Sequence, residues 1–127
     1  MTDPTRPAEA NKSLFLDAFA RFAAGDPDVL RTVLHEDFVE HSPGNPSGRD
    51  AFVEFVKASR LMGARFDLKR VIADEEHVVV HYHLVDREGG RDEAVVDIWR
   101  IADGLIVEHW DVVQPVPEEA EVPHGMF

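Results

Sequence analysis

Cysteine is absent from the 127-residue sequence, and basic residues are scarce, with 13 lysines and arginines against 25 aspartates and glutamates. Without cysteine the chain has no disulfide framework, no thiol nucleophile and no cysteine-based zinc site. The formal net charge of −12 argues against nucleic acid or an anionic membrane as a partner, because no basic surface stands out to neutralise phosphates.

Long apolar runs are lacking too. No stretch approaches the length that spans a bilayer, and the opening MTDPTRPAEANKS has no apolar signal core. We therefore expect a soluble cytoplasmic protein. The length predicts a single domain over residues 1–127, with residues 1–10 as a flexible arm and residues 115–127 as a C-terminal tail.

The first half of the chain has helical periodicity and the second half has strand character. Helices are predicted over residues 11–25, 27–34 and 49–62, with a short extended piece at 38–41. Strands are predicted over residues 66–72 and 77–85, and two more within 94–114. Three helices followed by an antiparallel meander predict an α+β domain.

The stretch 94–114 has ionisable residues inside otherwise apolar strands, namely Asp97, His109 and Asp111. A buried strand does not accept such groups without partners. Either these three residues pair with one another or they line a cavity.

The turn at Asp103 decides which side chains meet. A two-residue loop would place Asp97 opposite Trp110 and His109 on the other face. A three-residue loop over 102–104, with the glycine as a left-handed bulge, would place Asp97 opposite His109. We favour the three-residue loop, because it joins a carboxylate to an imidazole.

Both faces of these two strands are apolar, and the helices can cover only one of them. A second apolar face needs a partner, and another copy of the same surface supplies one. The sequence therefore predicts a homodimer through the sheet. The face assigned to the dimer has these residues: Val96, Ile98, Ile106, Trp110 and Val112.

Several motifs resemble those of a known group. From Asp97 the chain reads D-I-W-R-x-x-D-G-x-I-V-E-H-W-D-V-x-Q, and residues 38–52 read FVEHSPGNPSGRDAF. Together with residues 78–81 and 125–127, these resemble the nuclear transport factor 2-like superfamily and, within it, the SnoaL-like polyketide cyclase group. The resemblance covers nearly the whole chain. It implies a cone, in which a bent antiparallel or mixed sheet wraps on about three helices around a pocket, and dimers commonly formed through the sheet.

The superfamily hosts isomerases, dehydratases, cyclases and non-catalytic subunits. We predict cofactor-independent acid/base catalysis on a small apolar carbonyl compound, by aldol-type cyclisation, isomerisation or dehydration. Asp97 or Asp111 would be the acid/base, with its pKa moved toward neutrality by burial, and His109 its partner. The alternative is a non-catalytic dimer that binds a small molecule or serves as an accessory subunit.

Three further residues are predicted to bind substrate. His81 would pair opposite Asp97 if the hairpin loop between them centres on Gly89, although a one-residue slip would move it to the other face. His41 stands where the resemblance implies the pocket wall, in Glu40-His41-Ser42, where the group often has Gln-His-Asn. Trp99 shares the face of Asp97.

The histidines also suggest a metal site. His41, His81, His83 and His109, with Asp97, would supply enough nitrogen and oxygen ligands. No spacing matches a metal motif such as H-E-x-x-H, however, and the resembled group needs no metal. We therefore predict neither a metal nor another cofactor.

Overall fold

The computed structural model describes residues 6–127. The helices are α1 (Arg6–Ala23), α2 (Leu30–Val33), which a helical turn at Pro27–Val29 precedes, and α3 (Arg49–Lys57). The strands are β1 (Leu34–Glu40), β2 (Arg65–Ala73), β3 (His77–Val85), β4 (Glu93–Ala102) and β5 (Leu105–Pro115). A last helical turn, Glu119–Glu121, lies in the tail.

The first helix is longer than its apolar pattern predicts. It starts at Arg6, so residues 6–10 belong to α1 and not to the expected arm, while residues 1–5 lie outside the described part. Its first turn contributes no side chain to the core, and the apolar residues from Leu14 onward pack on the core. Over residues 6–127, no helix combines the length and apolar character that a bilayer crossing needs.

The five strands form one curved mixed sheet in the order β1-β5-β4-β3-β2. β1 runs parallel to β5, and the other neighbours are antiparallel. The core lies between the helices and the inner face of the sheet, and its most deeply buried side chains are Val29, Leu34, Phe38, Val53, Val78 and Val80. This confirms the predicted α+β fold.

The turn between β4 and β5 has two residues, so the predicted three-residue loop is wrong. Asp103 and Gly104 have φ values of 52° and 77°, and Ala102 pairs with Leu105. Two consecutive positive φ values are typical of a type I′ turn, whose twist matches that of the flanking strands. The chain therefore adopts the turn that fits the twist of the two strands, and Gly104 does not form the expected bulge.

A bulge does occur, but further along β5. Ile101 pairs with Ile106 and Arg100 pairs with Glu108, so Val107 is the extra residue. The bulge shifts the pairing by one residue, and Asp97 lies opposite Asp111 while Trp99 lies opposite His109. Because side chains alternate between faces, Asp97, His109 and Asp111 share the inner face, as predicted. Ile106, however, lies on the inner face and not on the predicted dimer face.

The C-terminal tail folds back over the outer face of the sheet. The ring of Phe127 stacks on His83, with centroids 4.5 Å apart and an interplanar angle of 8°. His81 lies 5.5 Å from the same ring, and Lys69 Nζ is 5.5 Å from its centroid. The tail therefore covers the β2–β3 end of that face.

Candidate active site

A cavity of about 350 Å³ lies between the helices and the inner face of the sheet. Its walls are mainly apolar, with Phe15, Phe19, Phe52, Phe55, Phe66 and Val95 among the lining residues. Ligand pockets in proteins are typically this apolar and begin at about 300 Å³. The cavity is therefore large enough for a small organic molecule.

Asp97, His109 and Asp111 come together on the wall of this cavity. His109 Nε2 lies 3.0 Å from Asp97 Oδ1, and one ligand atom from each of the three residues lies within 4.8 Å of the others. Asp97 and His109 are only 8% and 3% exposed. The predicted cluster exists, with Asp97 directly opposite Asp111 and diagonal to His109 across the ladder.

Glu40 completes this cluster, and the sequence analysis missed it. Its Oε1 atom lies 2.7 Å from His109 Nδ1, because parallel pairing of β1 with β5 sets Glu40 beside His109. The Glu40 side chain is 0% exposed. A signal was present: Phe38 is apolar, and a residue two positions on in a strand shares its face.

The electrostatics of His109 reflect its two carboxylate neighbours. Burial acts to lower the pKa of the imidazole, but hydrogen bonds to Asp97 and Glu40, with their charges, outweigh it and raise the pKa to about 9. At neutral pH the ring is therefore an imidazolium. Each of its two N–H groups then donates to a carboxylate.

The pKa of Asp97 is raised as well, which for a carboxyl group favours the neutral form. Burial raises the pKa of its carboxyl, and the charge of Asp111 adds to this, while the hydrogen bond from His109 and another from Tyr82 oppose it. The pKa of Tyr82 is raised well above 10 by burial and by the charge of Asp97, so its hydroxyl stays protonated. Asp97 can thus hold a proton at a higher pH than an exposed aspartate can.

Trp99 lines the cavity, as predicted, and packs on the imidazole. The two rings are 3.8 Å apart with an interplanar angle of 24°. The face of an indole attracts a cation, so this contact favours the imidazolium form of His109. The indole also fixes the plane of the His109 ring.

His81 does not face Asp97, and its predicted place in the pocket is wrong. It pairs with Val96, while Val80 pairs with Asp97, which is the one-residue slip that reverses the face. On the outer face, His81 Nδ1 lies 2.8 Å from Arg70 Nη1. The buried alternation of Val78, Val80, Tyr82 and Leu84 was the signal for this register, and it places Tyr82 in the cavity.

His41 also lies on the outer face and not in the predicted pocket wall. Its Nε2 atom is 2.6 Å from Glu108 Oε2, and its ring stacks on Trp110 with centroids 4.9 Å apart. Since Glu40 points inward, its neighbour in the extended chain points outward. Ser42 and Asn45, just beyond it, do line the cavity.

The geometry bears on metal binding as well. His41, His81 and His83 are on the outer face, so the wider ligand set considered from the sequence is not assembled. Asp97, His109 and Asp111 are close enough to hold an ion. Both ring nitrogens of His109 are engaged by carboxylates, however, and a protonated imidazole cannot ligate a metal.

One more charged pair lines the cavity. Arg60 forms an ion pair with Glu93, and its other terminal nitrogen lies 4.0 Å from Asp86. The arginine therefore neutralises the acidic groups beside it. The cation in hydrogen-bond contact with Asp97 is His109.

Solved structures of low sequence identity share this fold. A candidate ketosteroid isomerase from Kribbella flavida is 19% identical, with a TM-score of 0.74 over 91% of this chain and 88% of that one. A candidate SnoaL-like polyketide cyclase from Jannaschia sp. CCS1 is 20% identical, with a TM-score of 0.74 over 90% and 92%. An NTF-2 like protein of unknown function from Burkholderia xenovorans is 17% identical, with a TM-score of 0.76 over 94% and 97%.

At the level of sequence, a comparison with curated proteins finds no match. A family model for the SnoaL-like domain matches residues 15–109. That span runs from the core-facing stripe of α1 to His109 and so includes most of the sheet and Asp97. The chain belongs to the family of SnoaL-like domains within the NTF2-like superfamily.

Proposed function

We propose that this protein is an enzyme of cofactor-independent acid/base catalysis on a small, largely apolar carbonyl compound. The reaction class is aldol-type cyclisation, isomerisation or dehydration. One observation carries the proposal: two carboxyl groups, Asp97 and Asp111, are cross-strand neighbours on the wall of an otherwise mainly apolar cavity. Low-identity neighbours named as isomerase and cyclase candidates are compatible with this chemistry.

The two carboxyl groups suit different halves of the reaction. Asp111 is half-buried and acts as the base, which takes a proton from the carbon next to the carbonyl. Asp97, whose pKa is raised by burial, is the acid, which donates a proton to the oxygen that becomes negative. Two nearby carboxyl groups that share a proton divide acid and base roles in this way.

The proton balance closes within the site. The C–H bond breaks, its electron pair forms the enolate, and the proton goes to the carboxylate of Asp111. In an isomerisation Asp97 gives its proton to the enolate oxygen. In an aldol cyclisation the enolate carbon attacks a second carbonyl carbon of the same molecule, the new C–C bond forms as that C=O π pair becomes an alkoxide, and Asp97 protonates the alkoxide. In a dehydration Asp97 protonates the hydroxyl group, which leaves as water, and in each case release of the product leaves both carboxyl groups to re-equilibrate. His109, 3.0 Å from Asp97 Oδ1, stabilises the negative charge on Asp97 after this transfer.

The test uses 2-tetralone, a compact apolar ketone, in deuterated buffer. We expect the protein to accelerate exchange of the α-hydrogens, measured by mass spectrometry. Asp111→Asn should reduce the exchange rate by about 10²- to 10⁴-fold, the usual contribution of a positioned base. Asp97→Asn should reduce turnover of a substrate that needs an acid.

Glu108→Gln is the matched control, because Glu108 is on the same strand but on the outer face. It should exchange 2-tetralone at the wild-type rate. Binding of the ketone without exchange by the wild type would overturn the enzyme proposal and favour the binding module.

We also propose that two copies associate through the outer face of β4 and β5. Val112 is 70% exposed there, next to Trp110 and Ile98, and the tail covers only the β2–β3 end. Val112→Asp should shift the sedimentation coefficient from that of a dimer to that of a monomer. A wild-type monomer at micromolar concentration would contradict this association.

A further inference from the structure

We propose that Glu40 is a positioning residue: it is the counter-ion of the His109 imidazolium, and it thereby frees Asp97 to take up and release a proton during catalysis. The inference rests on the proposed acid/base function. It adds to the Asp97–Asp111 pair a residue on β1 that affects the pKa at which Asp97 is protonated.

The placement of Glu40 is fixed by its surroundings. Its backbone N–H donates to Ser47 Oγ at 3.0 Å, and its Oε1 atom accepts from the backbone N–H of Ser42 at 3.0 Å. The next residue along, His41, donates its N–H to the carbonyl of His109 at 3.0 Å. Both the backbone and the carboxylate of Glu40 are therefore held against β5, with no solvent contact at the side chain.

The second carboxylate oxygen strengthens the case for charge pairing. Glu40 Oε2 is buried and has no hydrogen-bond partner within residues 6–127. A buried carboxylate that lacks part of its hydrogen bonding is unfavourable unless a cation lies close to it. The His109 ring, 2.7 Å from Oε1, is the cation in contact with it.

The groups that face His109 come from every element around it. β1 contributes Glu40, β4 contributes Asp97, and β5 itself contributes Asp111, while Tyr82 of β3 acts through Asp97. Side chains from α1 and α3 that line the cavity are apolar. Arg60 is paired with Glu93, so the imidazolium has more than one negative neighbour.

The imidazolium of His109 is compensated by two carboxyl groups, Glu40 and Asp97. If His109 had only Asp97 as a partner, the cation would hold Asp97 in its ionised form, since an opposite charge favours ionisation. With Glu40 on the other ring nitrogen, the cation is already compensated. Asp97 can then become protonated by burial and by the charge of Asp111, and serve as the acid.

The first experiment titrates His109 by NMR in the intact protein without any ligand. Glu40→Gln keeps the shape and an oxygen that accepts from Nδ1, and removes only the charge. The pKa of His109, about 9 in the wild type, should fall by about 1 to 2 units, because an opposite charge at this distance contributes that much. Glu108→Gln is the control and should leave the His109 titration unchanged.

The second experiment measures the pH profile of 2-tetralone exchange and of any turnover that needs the Asp97 acid. In Glu40→Gln the limb that reports loss of the Asp97 proton should move to lower pH, whereas Glu40→Asp, which retains the charge, should keep the wild-type profile at a reduced rate. A merely structural role would lower the rate without moving the profile.

The outcomes are distinct. A His109 pKa that stays near 9 in Glu40→Gln, or a profile that does not move, overturns the role of Glu40. If Glu40→Gln does not fold, Glu40→Ala carries the test, because it also removes the charge. A His109 pKa well below that of the wild type would then support charge pairing, and an unchanged His109 pKa would refute it. Absence of exchange in the wild type refutes the proposed function but leaves the NMR result on Glu40 standing.

Discussion

The two faces of the sheet carry the same pair of groups, a histidine beside a carboxylate, in different surroundings. On the inner face, His109 is in contact with Glu40 and Asp97, and its side chain is 4% exposed. On the outer face, His41 is in contact with Glu108, and its side chain is 41% exposed. The hydrogen-bond distances differ little, 2.7 Å for His109–Glu40 and 2.6 Å for His41–Glu108.

Burial and the number of carboxylates separate the two pairs. Water screens the outer pair, and such exposed pairs contribute little to stability. The inner pair is withdrawn from water, so its members depend on one another for their charge. The comparison teaches that a histidine–carboxylate distance says little about chemistry until the environment of both groups is known.

Truncation of the two histidines should break the comparison most strongly. His109→Ala leaves two buried carboxylates without a cation and should lower the free energy of unfolding by about 3–5 kcal/mol. His41→Ala removes an exposed partner of Glu108, which keeps its hydrogen bond from Arg100, and should lower it by about 1 kcal/mol or less. Urea denaturation measures both, and equal losses would contradict the contrast.

The pH dependence of stability should give the next largest difference between the inner and outer histidines. The folded pKa of His109, about 9, exceeds the ordinary value of 6.5, so its contribution is complete below 6.5 and is lost as pH rises through 9. The loss should reach about 3 kcal/mol. The raised pKa of Asp97 acts in the same direction, since the folded state again binds more protons.

Denaturation at pH 6 and pH 9.5 checks this expectation. His41→Ala should keep the wild-type difference between the two pH values, whereas Glu40→Gln should show a smaller one. A wild type that is more stable at pH 9.5 would mean that His109 is not an imidazolium between carboxylates.

Ligand charge should give the smallest effect. Asp97 and Asp111 line the cavity with His109, and Glu40 lies behind His109 and compensates its charge, so an anionic ligand meets repulsion. Tetralin-2-carboxylate should bind about tenfold more weakly than tetralin-2-carboxamide, a difference of about 1.4 kcal/mol. Isothermal titration calorimetry measures both, and tighter binding of the carboxylate would contradict the charge count.

The sequence predicted the fold well, because helical and strand periodicities report directly on burial. It also grouped Asp97, His109 and Asp111 on one face, but through the wrong turn. The predicted turn is one residue too long, and the bulge at Val107 adds one residue that was not predicted. The two differences offset each other, so the three side chains still share one face. Nothing in the local residues says on which side of a hairpin an extra residue is accommodated.

The misplaced histidines have a different origin. For His81 and His41, the apolar alternation of the same strand argued for the outer face, and a pairing argument or a resemblance was preferred to it. Glu40 is a different case. The apolar Phe38 two positions earlier indicates that Glu40 faces inward, but its partner His109 is on a strand almost 70 positions away. Parallel pairing of β1 with β5 joins distant segments, and local sequence carries no signal for which group Glu40 contacts.

The bulge at Val107 has a consequence for how this site tolerates the loss of a residue. Ile106 faces inward and Glu108 outward, so the strand would alternate regularly if Val107 were deleted. Glu108 would still pair with Arg100 and His109 with Trp99, and His109 and Asp111 would stay on the inner face. The hairpin can therefore lose one residue between Ile106 and His109 without losing its acid/base wall.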